Sequence, residues 1–189
     1  MEASRIANVS AAVLVGFGEQ TPDATPDATR DAIGLAARMA QIFEDTLWVG
    51  DAPPEALPAR HVYCREDRRD FVTGVAAAIA AAHGDRVIVV GEGDGMVSAE
   101  LLLSLVAWPE AAIVMPSDSA GVNPLSVIYR RADLLSRARE ALASPGSFPS
   151  YESFVAGFET VLVPRARLGL AGSPSPLFAD PDVGSRALR

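Results

Sequence analysis

Glycines and carboxylates follow directly after two of the apolar runs in this sequence. Gly16 and Gly18 follow the first run, and Glu92 and Asp94 alternate with glycines after the most strongly apolar run. Two carboxylates at the end of a buried strand can hold Mg²⁺, which then bridges the phosphates of a nucleotide. The same pattern is typical of a tight turn, in which glycines supply positive φ angles and water solvates the acids. A magnesium-nucleotide site and a plain acidic turn are therefore both open interpretations.

A third polar segment, from Pro116 to Pro124, contributes Ser117, Asp118 and Asn123. Its composition suits a surface loop as well as a ligand-binding loop. In open α/β sheets, ligands bind outside the carboxyl ends of the strands. We therefore expect this segment to lie beside the two glycine-containing loops at one edge of a sheet.

The balance of charge excludes several classes of partner. All sixteen basic residues are arginine, so no mechanism within this chain uses a lysine. The formal net charge of -8 disfavours nucleic acid and anionic membrane surfaces. The longest apolar stretches fall well short of the roughly 20 residues that a membrane span needs, and no signal sequence is recognisable. We expect a cytoplasmic protein with no nucleic-acid or membrane partner.

Patterns typical of other enzymes are incomplete. Gly16-Phe17-Gly18 lacks the third glycine of a dinucleotide-binding loop, and the predicted helix begins too late to hold a pyrophosphate. His61 and Cys64 stand three apart on a predicted strand and therefore face opposite sides, which separates a nucleophile from its base. The chain has no Gly-x-Ser-x-Gly motif for a hydrolase nucleophile.

The elements that must position these residues alternate between strands and helices. Strands are predicted at 10–15, 46–49, 61–64, 86–90, 111–115, 125–130 and 160–163, and helices at 29–43, 70–82, 98–106, 132–143 and 151–157. This order predicts an α/β fold, a three-layer α/β/α sandwich around a mostly parallel mixed sheet. No helix fits between the strands at 111–115 and 125–130, so at least one of them is expected to run antiparallel. Residues 1–189 suit a single domain. We expect Thr29 to cap the first helix.

The run from Asn123 to Arg131, NPLSVIYRR, resembles the His-Pro-Leu-x-x-Leu-Tyr-Arg-Arg segment of the molybdenum cofactor guanylyltransferases and their MobA-like NTP transferase relatives. The order of elements is similar to that family across nearly the whole chain, including a Gly-x-Ala-x-Ala helix at Gly74. The resemblance implies a nucleotide-diphospho-sugar transferase-like fold. It also implies transfer of a nucleoside monophosphate from GTP or CTP, with Mg²⁺, to molybdopterin or a similar phosphorylated acceptor. The site residues that it implies are Gly16, Gly18 and Gly74 for the nucleotide, Asp94 and Glu92 for the metal, and Asn123 and Pro124 for the acceptor.

The chain departs from that family at several functional positions. Acids stand in its first loop where the family has an arginine and a lysine that contact the triphosphate. An ungapped alignment puts Gly93 at the family's metal-ligand position, and a one-residue deletion puts Asp94 there. Residues 70–74 keep only the last glycine, Gly74, of the family's guanine-contacting motif, and Ala179 replaces the asparagine of the closing motif.

Three hypotheses follow from these departures. The favoured one is a degenerate, catalytically impaired member of the family that acts as a binding or accessory protein, with a protein partner. The second is an active transferase in which Glu92, Asp94 and Asp118 hold Mg²⁺ and an arginine of the 65–69 segment approaches phosphate. The third is a homodimer in which Phe17 and Phe71 fill the old site.

Overall fold

The computed structural model describes residues 5–17, 26–53, 56–64, 70–91, 97–108, 111–118, 121–122, 126–144 and 146–164. The strands are β1 (Ile6–Leu14), β2 (Phe43–Gly50), β3 (Arg60–Tyr63), β4 (Arg86–Gly91), β5 (Ile113–Asp118), β6 (Gly121–Val122), β7 (Ser126–Arg130) and β8 (Thr160–Pro164). The helices are α1 (Pro26–Ile42), α2 (Phe71–Ala81), α3 (Ala99–Val106), α4 (Arg131–Ala143) and α5 (Tyr151–Val155). None of these helices is long and apolar enough to cross a membrane.

These strands form one mixed sheet in the order β3-β2-β1-β4-β7-β5-β6, and β8 also pairs with β5. β1 lies between β2 and β4 and runs parallel to both, as β5 does to β8. β7 runs antiparallel to both β4 and β5, which confirms that one strand of the pair without a crossover helix is reversed. The carboxyl ends of β1, β2, β4 and β5 therefore share one edge of the sheet with the amino end of β7. We call this edge the site edge.

Each face of the sheet is covered by a separate layer of helices. Along β1, Ala12 and Leu14 pack with α2, α4 and α5, whereas Ala11 and Val13 pack with α1 and α3. This alternation follows from the two-residue period of a strand, which sends successive side chains to opposite faces. Both faces of the central strands are apolar because both are buried. The predicted three-layer α/β/α sandwich is confirmed.

The start of α1 and its junction with β2 differ from the prediction. The helix begins at Pro26, so Thr29 lies inside the first turn and the prediction that it is the cap was wrong. Proline is well suited to a first helical position, because its missing N–H has no helical acceptor there. Phe43 was predicted to lie on the helix face, but it is the first residue of β2. The helical spacing of apolar residues continues past the true end of the helix, which explains the error.

A buried carboxylate, Asp45, fixes the end of α2 that lies farthest from the site edge. Ser10 on β1 donates to it at 2.5 Å, Arg60 donates at 2.8 and 3.1 Å, and the His83 amide donates at 3.0 Å. Ser10 Oγ in turn accepts from the Gly84 amide at 2.8 Å. Burial by itself raises the pKa of Asp45, but these hydrogen bonds, led by that from Arg60, lower it below its ordinary value. The network joins β1, β2 and β3 to the turn that follows α2.

Candidate functional site

The ends of β1 and β2 approach each other closely at the site edge. The Val15 amide donates to the Val49 carbonyl at 2.9 Å. Gly50 has φ +142°, and a Cβ at that position would lie 2.4 Å from the Val15 carbonyl oxygen. Gly16, the first of the predicted nucleotide-binding glycines, follows with φ +79° and is exposed to solvent. Gly16 is therefore the exposed residue at the β1 end, beside the buried Val15 and Gly50.

The end of β4 and the start of β7 are direct neighbours. Val90 pairs with Ser126 in the antiparallel ladder, and Ser126 is buried. The carboxyl end of β4 and the amino end of β7 therefore lie side by side at the site edge. Glu92, Asp94, Asn123 and Pro124, the predicted metal and acceptor ligands, lie outside the described residues, as does Gly18.

Side chains of the protein cap the amino ends of α2 and α3. Asp70 accepts from the Thr73 amide at 2.9 Å and from the Thr73 hydroxyl at 2.5 Å. Ser98 accepts from the Leu101 amide at 3.2 Å, as predicted for the α3 cap. A hydrogen bond from its own amide and one involving Ser98 lower the pKa of Glu100 in the first turn of α3. At α2 a carboxylate therefore occupies the position at which a helix can receive a phosphate.

Gly74, the third predicted nucleotide-binding glycine, lies one turn into α2 and faces the loop after β1. A Cβ at Gly74 would lie 2.8 Å from Phe17 Cδ1, 2.9 Å from Cε1 and 3.0 Å from Cγ. The Phe17 side chain is only 6% exposed and belongs to the apolar cluster that includes Leu14 and Val72. The ring of Phe17 thus lies flush against the backbone of α2. Phe71 packs instead edge-on against Tyr151, with ring centroids 5.4 Å apart.

Among the residues that the structure describes, five arginines donate to backbone carbonyls at the carboxyl ends of helices. The pairs are Arg5 with Ala40 of α1, Arg60 with Ala81 and Arg131 with Ile79 of α2, Arg86 with Val106 of α3, and Arg137 with Phe154 and Ala156 at α5. These carbonyls lack helical donors and carry the negative end of the helix dipole, so a guanidinium stabilises them. Single-sequence patterns did not reveal this role, because each pair is separated in the chain by 17 or more residues.

The segment that carries the family resemblance contributes mainly to the core. Tyr129 is fully buried, and its hydroxyl lies 2.7 Å from that of Tyr151. Burial, together with the neighbouring hydroxyl, raises the pKa of Tyr129 well above its ordinary value, and burial likewise raises the pKa of Tyr151. Arg130 pairs with Asp133 at 2.5 Å on the surface. This part of the segment therefore anchors β7 and α4.

Two further features lie away from the central strands. His61 is exposed and its Nε2 lies 3.1 Å from the Gly50 carbonyl oxygen, whereas Cys64 is buried. A cavity of about 430 Å³ lies between β3, α2 and α4, and Ala77, Ala81 and Leu142 are among its lining residues. Within the described ranges, no three His, Cys, Asp or Glu side chains are grouped so as to hold a metal ion.

No family model matches the sequence, and no curated protein matches it. Solved structures do match. The protein Aq1419 of Aquifex aeolicus aligns with 89% of this chain and 94% of its own, at 15% identity and a TM-score of 0.67. Molybdopterin-guanine dinucleotide biosynthesis protein A of Archaeoglobus fulgidus aligns over the same shares, at 14% identity and a TM-score of 0.61. The 4-diphosphocytidyl-2C-methyl-D-erythritol synthase of Anaerococcus prevotii covers 82% of this chain and 86% of its own, at 12% identity and a TM-score of 0.58. The chain therefore has the α/β fold of these proteins.

Proposed function

We propose that this chain is a degenerate relative of the molybdenum cofactor guanylyltransferases, impaired in nucleotidyl transfer, that acts as a binding or accessory protein. The fold supports a nucleotidyltransferase ancestry, since the site edge lies where open α/β sheets bind ligands. Fold alone does not carry activity. The impaired status is inferred from the chemistry that the transfer of a nucleotidyl group requires.

The main support for this proposal is the set of groups to which the arginine side chains are bonded. Transfer of a nucleotidyl group depends on cations that neutralise the charge developing on the phosphates. The chain has no lysine, and five of its arginines are bonded to helix carboxyl ends. The first loop supplies the acids Glu19 and Asp23 in place of cations. Losing even one preorganised donor costs about 3 kcal/mol of transition-state stabilisation. Several losses together are expected to abolish useful turnover.

A second candidate, an active Mg²⁺-dependent transferase, is favoured by one observation. The carboxyl end of β3 and the start of α2 both lie at the site edge, and the segment 65–69 comes between them in the sequence. It carries Arg65, Arg68 and Arg69. In this alternative one of those arginines approaches phosphate, and Glu92, Asp94 and Asp118 hold the metal.

Pyrophosphate release separates the two candidates. The wild-type protein is mixed with equal concentrations of GTP or CTP and of molybdopterin, in the presence of Mg²⁺. Pyrophosphate is then measured over hours against a protein-free control. We expect no release above that control. Release that is lost in Asp94→Asn or in the triple variant Arg65→Ala/Arg68→Ala/Arg69→Ala, and retained in the matched surface variant Asp133→Asn, would replace the proposal with the active transferase.

The accessory role has a separate test. The chain is titrated into a solution of an active molybdopterin nucleotidyltransferase up to an equal concentration, and the reaction rate of that enzyme is measured at each step. An accessory protein is expected to change this rate in proportion to its concentration until the two are equimolar. A rate that stays constant throughout the titration would argue against this role for the pair tested.

A further inference from the structure

The Phe17 ring fills a recess on α2, at the place where Gly74 has no side chain. Gly74 lies in a helix whose next residues include Ala76, Ala77 and Ala78, so alanine is the ordinary choice in this part of α2. Glycine weakens a helix interior relative to alanine, and its presence there needs a packing reason. The Phe17 ring supplies that reason, since a Cβ at Gly74 would lie within 3.0 Å of three of its ring atoms.

The position of this ring distinguishes it from an ordinary core side chain. Phe17 belongs to the loop after β1, at the sheet edge where an α/β fold receives its ligands. Its neighbour Gly16 is exposed, whereas Phe17 is 6% exposed. The chain thus turns an aromatic ring inward from the ligand-binding edge, onto a helix backbone that lacks a side chain.

We propose that Phe17 is a built-in occupant of this recess and excludes planar aromatic ligands, nucleobases in particular, from the site edge. This inference rests on the proposed function and adds a reason for impaired transfer that is independent of phosphate charge. A nucleobase and a phenyl ring have similar thickness and similar apolar faces, so they compete for the same space. The occupant is covalently part of the chain, and its effective concentration exceeds that of any free base.

The test is nucleoside binding to Phe17→Ala. Guanosine, cytidine and adenosine are used because they lack phosphate, which keeps the charge of the site edge out of the measurement. Titration calorimetry on the wild type is expected to show no binding at millimolar nucleoside. In Phe17→Ala, at least one nucleoside is expected to bind at least about tenfold more tightly than to the wild type, since an opened apolar cavity accepts an aromatic ligand.

Two further variants separate exclusion from a merely structural role. The double variant Phe17→Ala/Gly74→Ala adds a methyl group to the floor of the recess. Relative to Phe17→Ala, it is expected to have a higher melting temperature and a lower affinity for the nucleoside. Phe71→Ala removes a neighbouring ring that packs on Tyr151 and is expected to leave nucleoside binding at the wild-type level. If Phe17→Ala does not fold, Phe17→Leu removes the ring and keeps the apolar contact, and the same titrations are made on it.

The outcomes are distinct from those of the proposed function. A folded Phe17→Ala or Phe17→Leu protein without any gain in nucleoside affinity overturns the exclusion, as does an equal gain in Phe71→Ala. Pyrophosphate release by the wild type would instead refute impaired transfer, whatever the nucleoside titrations show.

Discussion

Replacing Asp45 by asparagine is the sharpest test of how much the hydrogen-bond network at the end of α2 stabilises the fold. The carboxylate accepts four hydrogen bonds, from Ser10, from two nitrogens of Arg60 and from the His83 amide. Asparagine keeps the shape and one acceptor oxygen. Its amide nitrogen, however, brings a donor against groups that are themselves donors. The network is therefore expected to lose both its charge and part of its bonding.

The magnitude follows from which partners can return to water. A hydrogen bond to a charged group contributes roughly 1.5–3 kcal/mol, and the loss is largest where the partner stays buried. Ser10 is fully buried and cannot be resolvated, whereas the Arg60 side chain is 42% exposed and can be. We therefore expect Asp45→Asn to reduce the free energy of unfolding by about 3 kcal/mol, the lower end of the range for two such bonds. For a chain of this length, each kcal/mol lowers the melting temperature by about 2–4 °C, so a fall of roughly 6–12 °C is expected.

Asp133→Asn is the matched control. Asp133 also pairs with an arginine, Arg130, but the two side chains are 28% and 36% exposed. Surface ion pairs of this kind contribute about 0.2–1 kcal/mol. Urea unfolding at pH 7, followed by circular dichroism, measures both variants. If Asp45→Asn and Asp133→Asn lose the same stability, the account of the Asp45 network is wrong.

The pH dependence of the Asp45 effect has a defined sign. The folded-state pKa of Asp45 is lowered, so its contribution is fully present above the unfolded value of about 3.9 and is lost as the pH falls through the folded value. The stability difference between wild type and Asp45→Asn should therefore be constant from pH 7 to about pH 5. It should shrink below about pH 4. A difference that grows with acid would contradict the sign.

Two further substitutions have distinct expected results. Tyr129→Phe leaves the hydroxyl of the partly buried Tyr151 without the Tyr129 hydroxyl and is expected to cost about 1–2 kcal/mol in chemical unfolding. The pKa values of both tyrosines are raised, so the wild-type pair stabilises the fold fully below about pH 10 and loses that contribution as the pH rises further. If the stability of Tyr129→Phe depends on alkaline pH in the same way as that of the wild type, this assignment is wrong. Gly50→Ala places a Cβ 2.4 Å from the Val15 carbonyl oxygen and is expected to cost more than about 2 kcal/mol. Gly146→Ala, at φ +84° with no atom within 4 Å, bears backbone strain alone and should cost about 1 kcal/mol, so equal melting temperatures would refute the close-approach argument.

Local patterns predicted much of this fold. The run Arg86 to Val90 is a central strand, Ser98 caps α3, and Asp70 stands just before α2, because each signal lies within a few neighbouring residues. The reversal of β7 followed from a connection too short to hold a crossover helix. The error at the end of α1 arose because apolar spacing continued from the helix into β2.

Contacts between distant parts of the chain could not be derived in the same way. Ser10 and Asp45 meet only because β1 and β2 are neighbours in that register. The arginines that bind helix carboxyl ends likewise depend on tertiary placement. In the candidate site, the nucleotide-binding roles of Gly16 and Gly74 stay predictions. Phe17, which was among the residues expected to fill the site, packs against Gly74. The metal and acceptor assignments at Asp94, Glu92, Asn123 and Pro124 stay predictions.

Thermal unfolding of the wild-type protein with added nucleotides tests whether its site edge is closed to them. The melting temperature is measured with and without GTP, CTP and ATP, each with Mg²⁺, at concentrations up to several millimolar. We predict no shift with any of them, because Phe17 fills the ring recess and the first loop supplies acids instead of cations. A nucleotide at a hundred times its dissociation constant stabilises a folded protein by about 2.7 kcal/mol. A shift of that size with one nucleotide would show an open, functional pocket and contradict the account.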